Sequence, residues 1–207
     1  MDYLIDSALH TGLNALHGLL LALVSVLLLG VVVTLFPAVR APVYVMGIFT
    51  KVSPAVAYAP LFVSAIGANS TVKVLTAAMI CFYPLLVELL EAFQRFPARL
   101  NEQADLRSAS TLERVQLYGW AYILEGMIRA LLTAAPLAVV GSIVADYVVG
   151  GTRPGGLGQA ILAASTTSNT QQLIGSIAAS TALGLLGFGL SWLIHRQISK
   201  VLNLGRG

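Results

Sequence analysis

A chain of 207 residues that is 57% hydrophobic and only 10% charged, with mean hydropathy +0.84, has too little polar surface for a water-soluble domain. Its net charge of +3 and pI near 9.2 serve to orient it in a bilayer and do not point to nucleic acid. One cysteine, Cys81, excludes an intrachain disulfide, and three scattered histidines, His10, His17 and His195, offer no metal set.

The N-terminus carries Asp2 and Asp6 with no early Lys or Arg, so it lacks the basic start of a signal peptide. The first span is expected at about 13–36, centred on the run from Leu19 to Gly30 and ended by Pro37. A second, about 43–67, contains Lys51 and is broken by Pro54 and Pro60, which predicts a bent or discontinuous helix. The third runs over about 72–93 and includes Phe82, Tyr83 and Pro84. A fourth, about 119–149, is interrupted by Pro136. The turn-rich stretch 150–158 comes next, GGTRPGGLG, with a short helix possible at 159–164 and a polar run from Ser165 to Gln172. The fifth span, about 173–195, ends in a short basic tail. The reading is an all-α polytopic membrane protein with about five transmembrane helices and a single membrane domain over 1–207.

Between the third and fourth spans lies a polar island, Gln94 to Tyr118. It holds Arg95, Arg99, Glu102, Asp105, Arg107, Glu113 and Arg114, seven of the 12 basic and 9 acidic residues of the whole chain. Such a segment cannot sit in hydrocarbon. Pro97 suits a first helical turn, and 98–106 is strong helix-forming material. Ser110 followed by Glu113 reads as a capping box that starts a second helix at about Thr111. A helix–turn–helix outside the membrane is the expected result. Placing the island in the cytoplasm puts Arg40, Arg95, Arg99, Arg107, Arg114, Arg196, Lys200 and Arg206 inside, against Lys73 and Arg153 outside. That sets the N-terminus outside and the C-terminus in the cytoplasm.

These features, in this order, resemble the inner-membrane permease subunits of binding-protein-dependent ABC importers, in particular the nitrate, sulfonate, taurine and pyrimidine-precursor branch. Glu102-Gln103-Ala104 stands at the position of the family's EAA motif, Ser108-Ala109-Ser110 at its Gly-Ala-Ser, and Val115-Gln116-Leu117 at the Val-x-Leu beyond. Further matches are Pro54 to Gly67, Phe82 to Val87, Gly126 to Ala130 and Gly156-Leu157-Gly158, together covering about 13–195. The chain departs from the pattern at Ser108, which replaces a glycine suited to a left-handed turn. It also departs at Tyr118–Tyr122, where prolines are usual, at Asp146, the acid before GLG, and in having five spans where the family has about six.

The resemblance implies a type I ABC importer permease-like fold in a bacterial cytoplasmic membrane. It implies a coupling loop, 94–118, that docks on a cytoplasmic ATPase dimer through Arg99, Glu102, Ala104, Ser108 and Ala109. A second permease subunit, of the same or a different chain, and an extracytoplasmic substrate-binding protein would complete the assembly. ATP and Mg would be used by the ATPase, with no cofactor bound by this chain.

Ionisable residues inside spans are functional candidates because their desolvation is costly. Lys51 and Arg129 offer positive charge to a small anion, and Asp146 beside the outer loop is a candidate pathway residue with them. Each has a plainer reading. Lys51 can snorkel to the interface, Arg129 can pair with Glu125 one turn earlier, and Asp146 and Arg153 can be solvated loop charges. Glu88 and Glu91 read as interfacial or paired with Arg95. Small residues at Gly175, Ser176, Ala179, Ser180 and Gly184 suit close helix packing in the fifth span. The sequence carries no phosphate-binding Gly-rich loop with Lys-Ser/Thr, no Gly-x-Ser-x-Gly and no metal-ligand spacing, so a transport path and not an enzyme is expected. Two other readings stay open: a stand-alone secondary transporter or channel, and a membrane scaffold that recruits a partner through the island.

Overall fold

The computed structural model describes residues 2–92, 120–150 and 155–204, together with Leu106, Ser108 and Glu113. Helix α1 spans Asp2–Leu35 and is stopped by a 3₁₀ turn at Pro37–Val39, where proline ends the hydrogen-bond ladder. Helices α2 (Arg40–Val52) and α3 (Ala55–Ile66) are bent from one another by 102°. The break falls at Ser53, which is extended, and Pro54, so the bend anticipated in the second apolar run is a hinge between two short helices. Helix α4 covers Ser70–Ala92 and α5 covers Trp120–Val149. Helix α6 (Leu157–Thr166) is short, and the long α7 (Thr170–Leu204) comes after it. Pro60, Pro84 and Pro136 are carried inside helices, so Pro136 does not interrupt α5.

Among the described residues, four helices are long and apolar enough to cross a membrane, and five spans result if the bent α2–α3 pair counts as one. No strand occurs among the described residues. The molecule is an all-α polytopic membrane protein.

Its centre is the antiparallel pair α4 and α5, with α1 packed across both. Cys81, Leu85, Leu86, Leu89 and Leu90 of α4 meet Ala130, Ala134, Ala138 and Val139 of α5 in one core. The buried stripe of α1 is Ser7, Thr11, Ala15, Gly18, Ala22, Val26, Gly30 and Val33. It repeats every three or four residues and is made mainly of small side chains, whereas Leu13, Leu16, Leu20, Val24 and Leu28 face outward. Lipid tails are as apolar as leucine, so hydrophobicity does not choose the inner face; close approach of backbones does.

Two such approaches converge at Ala77 of α4. A Cβ on Gly18 of α1 would lie 2.5 Å from the Ala77 Cβ, and one on Gly141 of α5 would lie 2.6 Å from its Cα. One alanine therefore sits between two glycines from two other helices. Replacing Ala77 by leucine is expected to push α1 and α5 apart and cost about 1–3 kcal/mol or more. Unfolding of the purified variant in denaturing-detergent titrations measures it, and an unchanged midpoint would refute this packing.

Small residues behave differently on α7. Ser176 is buried and a Cβ on Gly187 would lie 3.7 Å from Ala135 of α5, but Gly184 faces open space, and nearly all of the helix's apolar window is on the surface. Four of its hydroxyls are satisfied internally. Ser176, Ser180, Thr181 and Ser191 each donate to the carbonyl four residues back, leaving none of these four hydroxyls open to hydrocarbon.

Candidate functional site

Where α4 begins, α5 ends and α6 begins, four elements meet at a buried polar knot, α1 being the fourth. Lys73 lies three residues into α4 and Asp146 three residues before the end of α5. Antiparallel packing brings the two to the same depth, with Lys73 Nζ 2.6 Å from Asp146 Oδ1 and side chains 1% and 0% exposed. A charge this enclosed is tolerated only when paired and hydrogen-bonded.

The other carboxylate oxygen, Oδ2, accepts from the Thr11 hydroxyl of α1 at 3.2 Å and from the Gly158 amide at 3.4 Å. The Thr11 oxygen in turn accepts the Leu157 amide at 2.8 Å. A hydroxyl has one proton to give and lone pairs to receive, so Thr11 acts as a relay between α6 and Asp146. Two of the free amides that open α6 are thus satisfied, and the carboxylate lies at the positive end of that helix.

This geometry explains the GLG motif. A Cβ on Gly156 would fall on Asp146 Oδ2 and one on Gly158 would fall on the Ile143 carbonyl oxygen. Leu157 between them is fully buried. The φ of Gly156 is −98°, so space, not backbone conformation, demands glycine there. Ser7 and Ser142 lie one turn from Thr11 and Asp146 on the same helices; both are buried, and their hydroxyls meet no hydrogen-bond partner among the described residues.

The knot corrects two expectations. Asp146 is not a solvated loop charge but an interior residue of α5, and Lys73, expected in an outside loop, is buried in α4. Charge counting treats each residue alone, and each becomes tolerable in the interior only because the other is there. The available signal was positional: a Lys just inside one apolar segment and an Asp just inside the far end of the next. Thr11 gave no signal, since a threonine in an apolar helix usually bonds its own backbone.

The remaining candidates lie elsewhere. Arg129 pairs with Glu125 at 3.1 Å, one turn apart and about one-third exposed, which is the plainer of its two readings. Lys51 is exposed in the last turn of α2, with its ammonium 4.9 Å from the centre of the Tyr83 ring. Helix continues through Val52, so the backbone around Lys51 is not unwound. The partners of Asp146 are Lys73, Thr11 and Gly158, and the fold does not bring Lys51 or Arg129 into that set. Glu91 lines a cleft of about 570 Å³ with Arg40 and Tyr44. A second cleft, about 610 Å³, is lined by Tyr3, Asn169, Gln171 and Gln172, using part of the polar run 165–172.

Of the island, Arg99, Glu102, Ala104 and Ala109 lie outside the described residues, as does the expected helix–turn–helix as a whole. Ser108 is described: it stands in a turn at φ 51°, the left-handed region that favours glycine. Leu106, two residues earlier, is 87% exposed.

Fold and site together define a helical membrane protein with its principal hairpin, α4–α5, clasped by a buried ion pair. No family model matches the chain. Over 147 residues, 71% of this chain, it is 29% identical to the riboflavin transport system permease protein RibX of Chloroflexus aurantiacus. That match covers 54% of the relative, so the chain spans about half the length of that permease. Over 190 residues, 91% of this chain, it is 25% identical to a probable ABC transporter permease protein of Haemophilus influenzae, covering 75% of that protein.

Proposed function

We propose that this chain is a permease subunit of an ABC importer: it forms part of a substrate path through the bacterial cytoplasmic membrane and takes its driving force from an ATPase in a separate chain. The observation that carries this reading is the similarity to two transport permeases, over as much as 91% of the chain, in a protein made of membrane-length helices. The polar island 94–118 is the coupling loop. It joins α4 to α5, so a load applied to it enters the bundle along its two most central helices.

In this reading the island faces the cytoplasm, the N-terminus lies outside and the C-terminus inside. Arg99 and Glu102 make polar contacts with the ATPase, while Ala104, Ser108 and Ala109 form the turn and packing surface. Ser108 in a left-handed turn supports an organised loop, since a non-glycine residue holds that conformation at a cost. ATP and Mg act on the ATPase, a second permease completes the path, and an extracytoplasmic binding protein delivers cargo. The cargo is a small heterocyclic nutrient or a small anion. Engagement of Arg129 by Glu125 leans this toward the heterocycle, because that cation is already neutralised.

The test is recovery of stoichiometric partners from detergent-solubilised membranes with the tagged full chain. An ATPase is expected in the parent and is expected to be lost in the double variant Arg99→Ala, Glu102→Ala. Its presence in both would remove the coupling role from these residues.

One observation favours a second reading. A desolvated Lys–Asp pair is the kind of group on which stand-alone secondary transporters build ion coupling. Substrate uptake by liposomes holding this chain alone, without ATP, would select that reading.

A further inference from the structure

Building on the permease reading, we propose that α6 is a closure at the outer end of the pathway. Asp146, Thr11 and Lys73 are positioning residues that form its seat, so that α6 travels with the α4–α5 hairpin. The two helices that flank the coupling loop are packed together at Ala77 and Gly141 and joined at their far end by the Lys73–Asp146 pair. The start of α6 is bonded to that joint through Asp146 and Thr11.

With 10 residues, α6 is about 15 Å long, half of a hydrocarbon core, and is not a span of its own. Its inward face holds Leu157, Gly158, Ala160 and Ala164, mostly small groups with little area to anchor it. Polar bonding to the seat therefore carries much of its placement.

The test uses cysteine accessibility in the full chain in native membranes, with a membrane-impermeant maleimide and the parent, whose Cys81 is buried, as background. The reporter is Ala164→Cys, at a position 0% exposed, and the control is Ser165→Cys, at an exposed one. Two double variants remove the buried charge and so keep the chain foldable. Lys73→Met with Asp146→Asn retains an oxygen acceptor for α6; Lys73→Met with Asp146→Leu does not. The reporter is expected to stay protected in the parent and the Asn double, and to label about tenfold faster in the Leu double, the effect of losing one to two hydrogen bonds.

Equal protection in both doubles would overturn the seat, since apolar packing alone would then hold α6. Labelling of the reporter in the parent as fast as the control would overturn it too. In the complex with its co-purified ATPase, ATP is expected to change the reporter's rate. An unchanged rate in an ATPase-active complex rejects the carried motion and leaves the permease reading intact. Absence of any ATPase rejects the permease reading and the carried motion together, and leaves the seat to be judged by the two doubles.

Discussion

Lys73→Met alone is expected to be the most damaging single substitution at the polar knot, lowering stability by about 3–5 kcal/mol, because it leaves the Asp146 carboxylate buried without its counter-ion. Methionine nearly matches the lysine stem in length and shape, so little of the loss comes from packing. The double variant Lys73→Met, Asp146→Leu is expected to recover most of it, since replacing a buried pair by apolar groups of similar volume is often close to neutral. The remaining deficit belongs to the Gly158 amide and the Thr11 hydroxyl, which lose their acceptor. Unfolding midpoints of the parent, both single variants and the double in denaturing-detergent titrations give the coupling energy directly. If the singles are mild, or the double is as unstable as their sum, the pair does not act as a unit and the knot is held by something else.

Gly158→Ala is expected to destabilise the chain by about 1–3 kcal/mol through overpacking. The sign is what makes the experiment informative. Gly158 lies inside a helix, where alanine is intrinsically better by about 1 kcal/mol, so propensity alone predicts a gain. The structure predicts a loss, because the new Cβ would meet the Ile143 carbonyl oxygen and stand 2.5 Å from the Asp146 Cβ. A backbone oxygen inside a packed helix cannot rotate away as a flexible side-chain tip can. Gly189→Ala in α7 is the matched control: nothing lies within 4 Å of its Cβ position, and the ordinary helical gain is expected. Equal gains at both sites, read as unfolding midpoints of purified protein, would show that α6 is not seated against α5.

Much of the architecture was legible from composition and proline placement. Long apolar runs must be helices in a bilayer because no other single segment satisfies its own backbone there. Pro37 marked the end of α1, and Pro54 marked the break between α2 and α3. The GLG run read as the end of a turn-rich stretch, with no sign of the close approach it makes to α5. The site was legible only in part. Asp146 stood out as an ionisable residue near an apolar run, yet a one-residue view made it a solvated loop charge.

The same limit operated on the small residues. The stripe noticed on α7 runs partly into open space at Gly184, while the one on α1, from Ser7 to Val33, is the one that packs along its length. Both read alike as small side chains at helical spacing, and neither hydropathy nor periodicity ranks them. The sequence by itself therefore determined only the properties that each segment has alone. Those are membrane residence, helical form, the positions of the breaks and the single large polar excursion at 94–118. Which helix faces which, which serine is buried, and that Lys73, Asp146, Thr11 and the GLG backbone form one knot were decided by tertiary packing. The reason is physical: in a uniformly apolar chain the solvent no longer distinguishes inside from outside, and only the fit of one helix surface to another does.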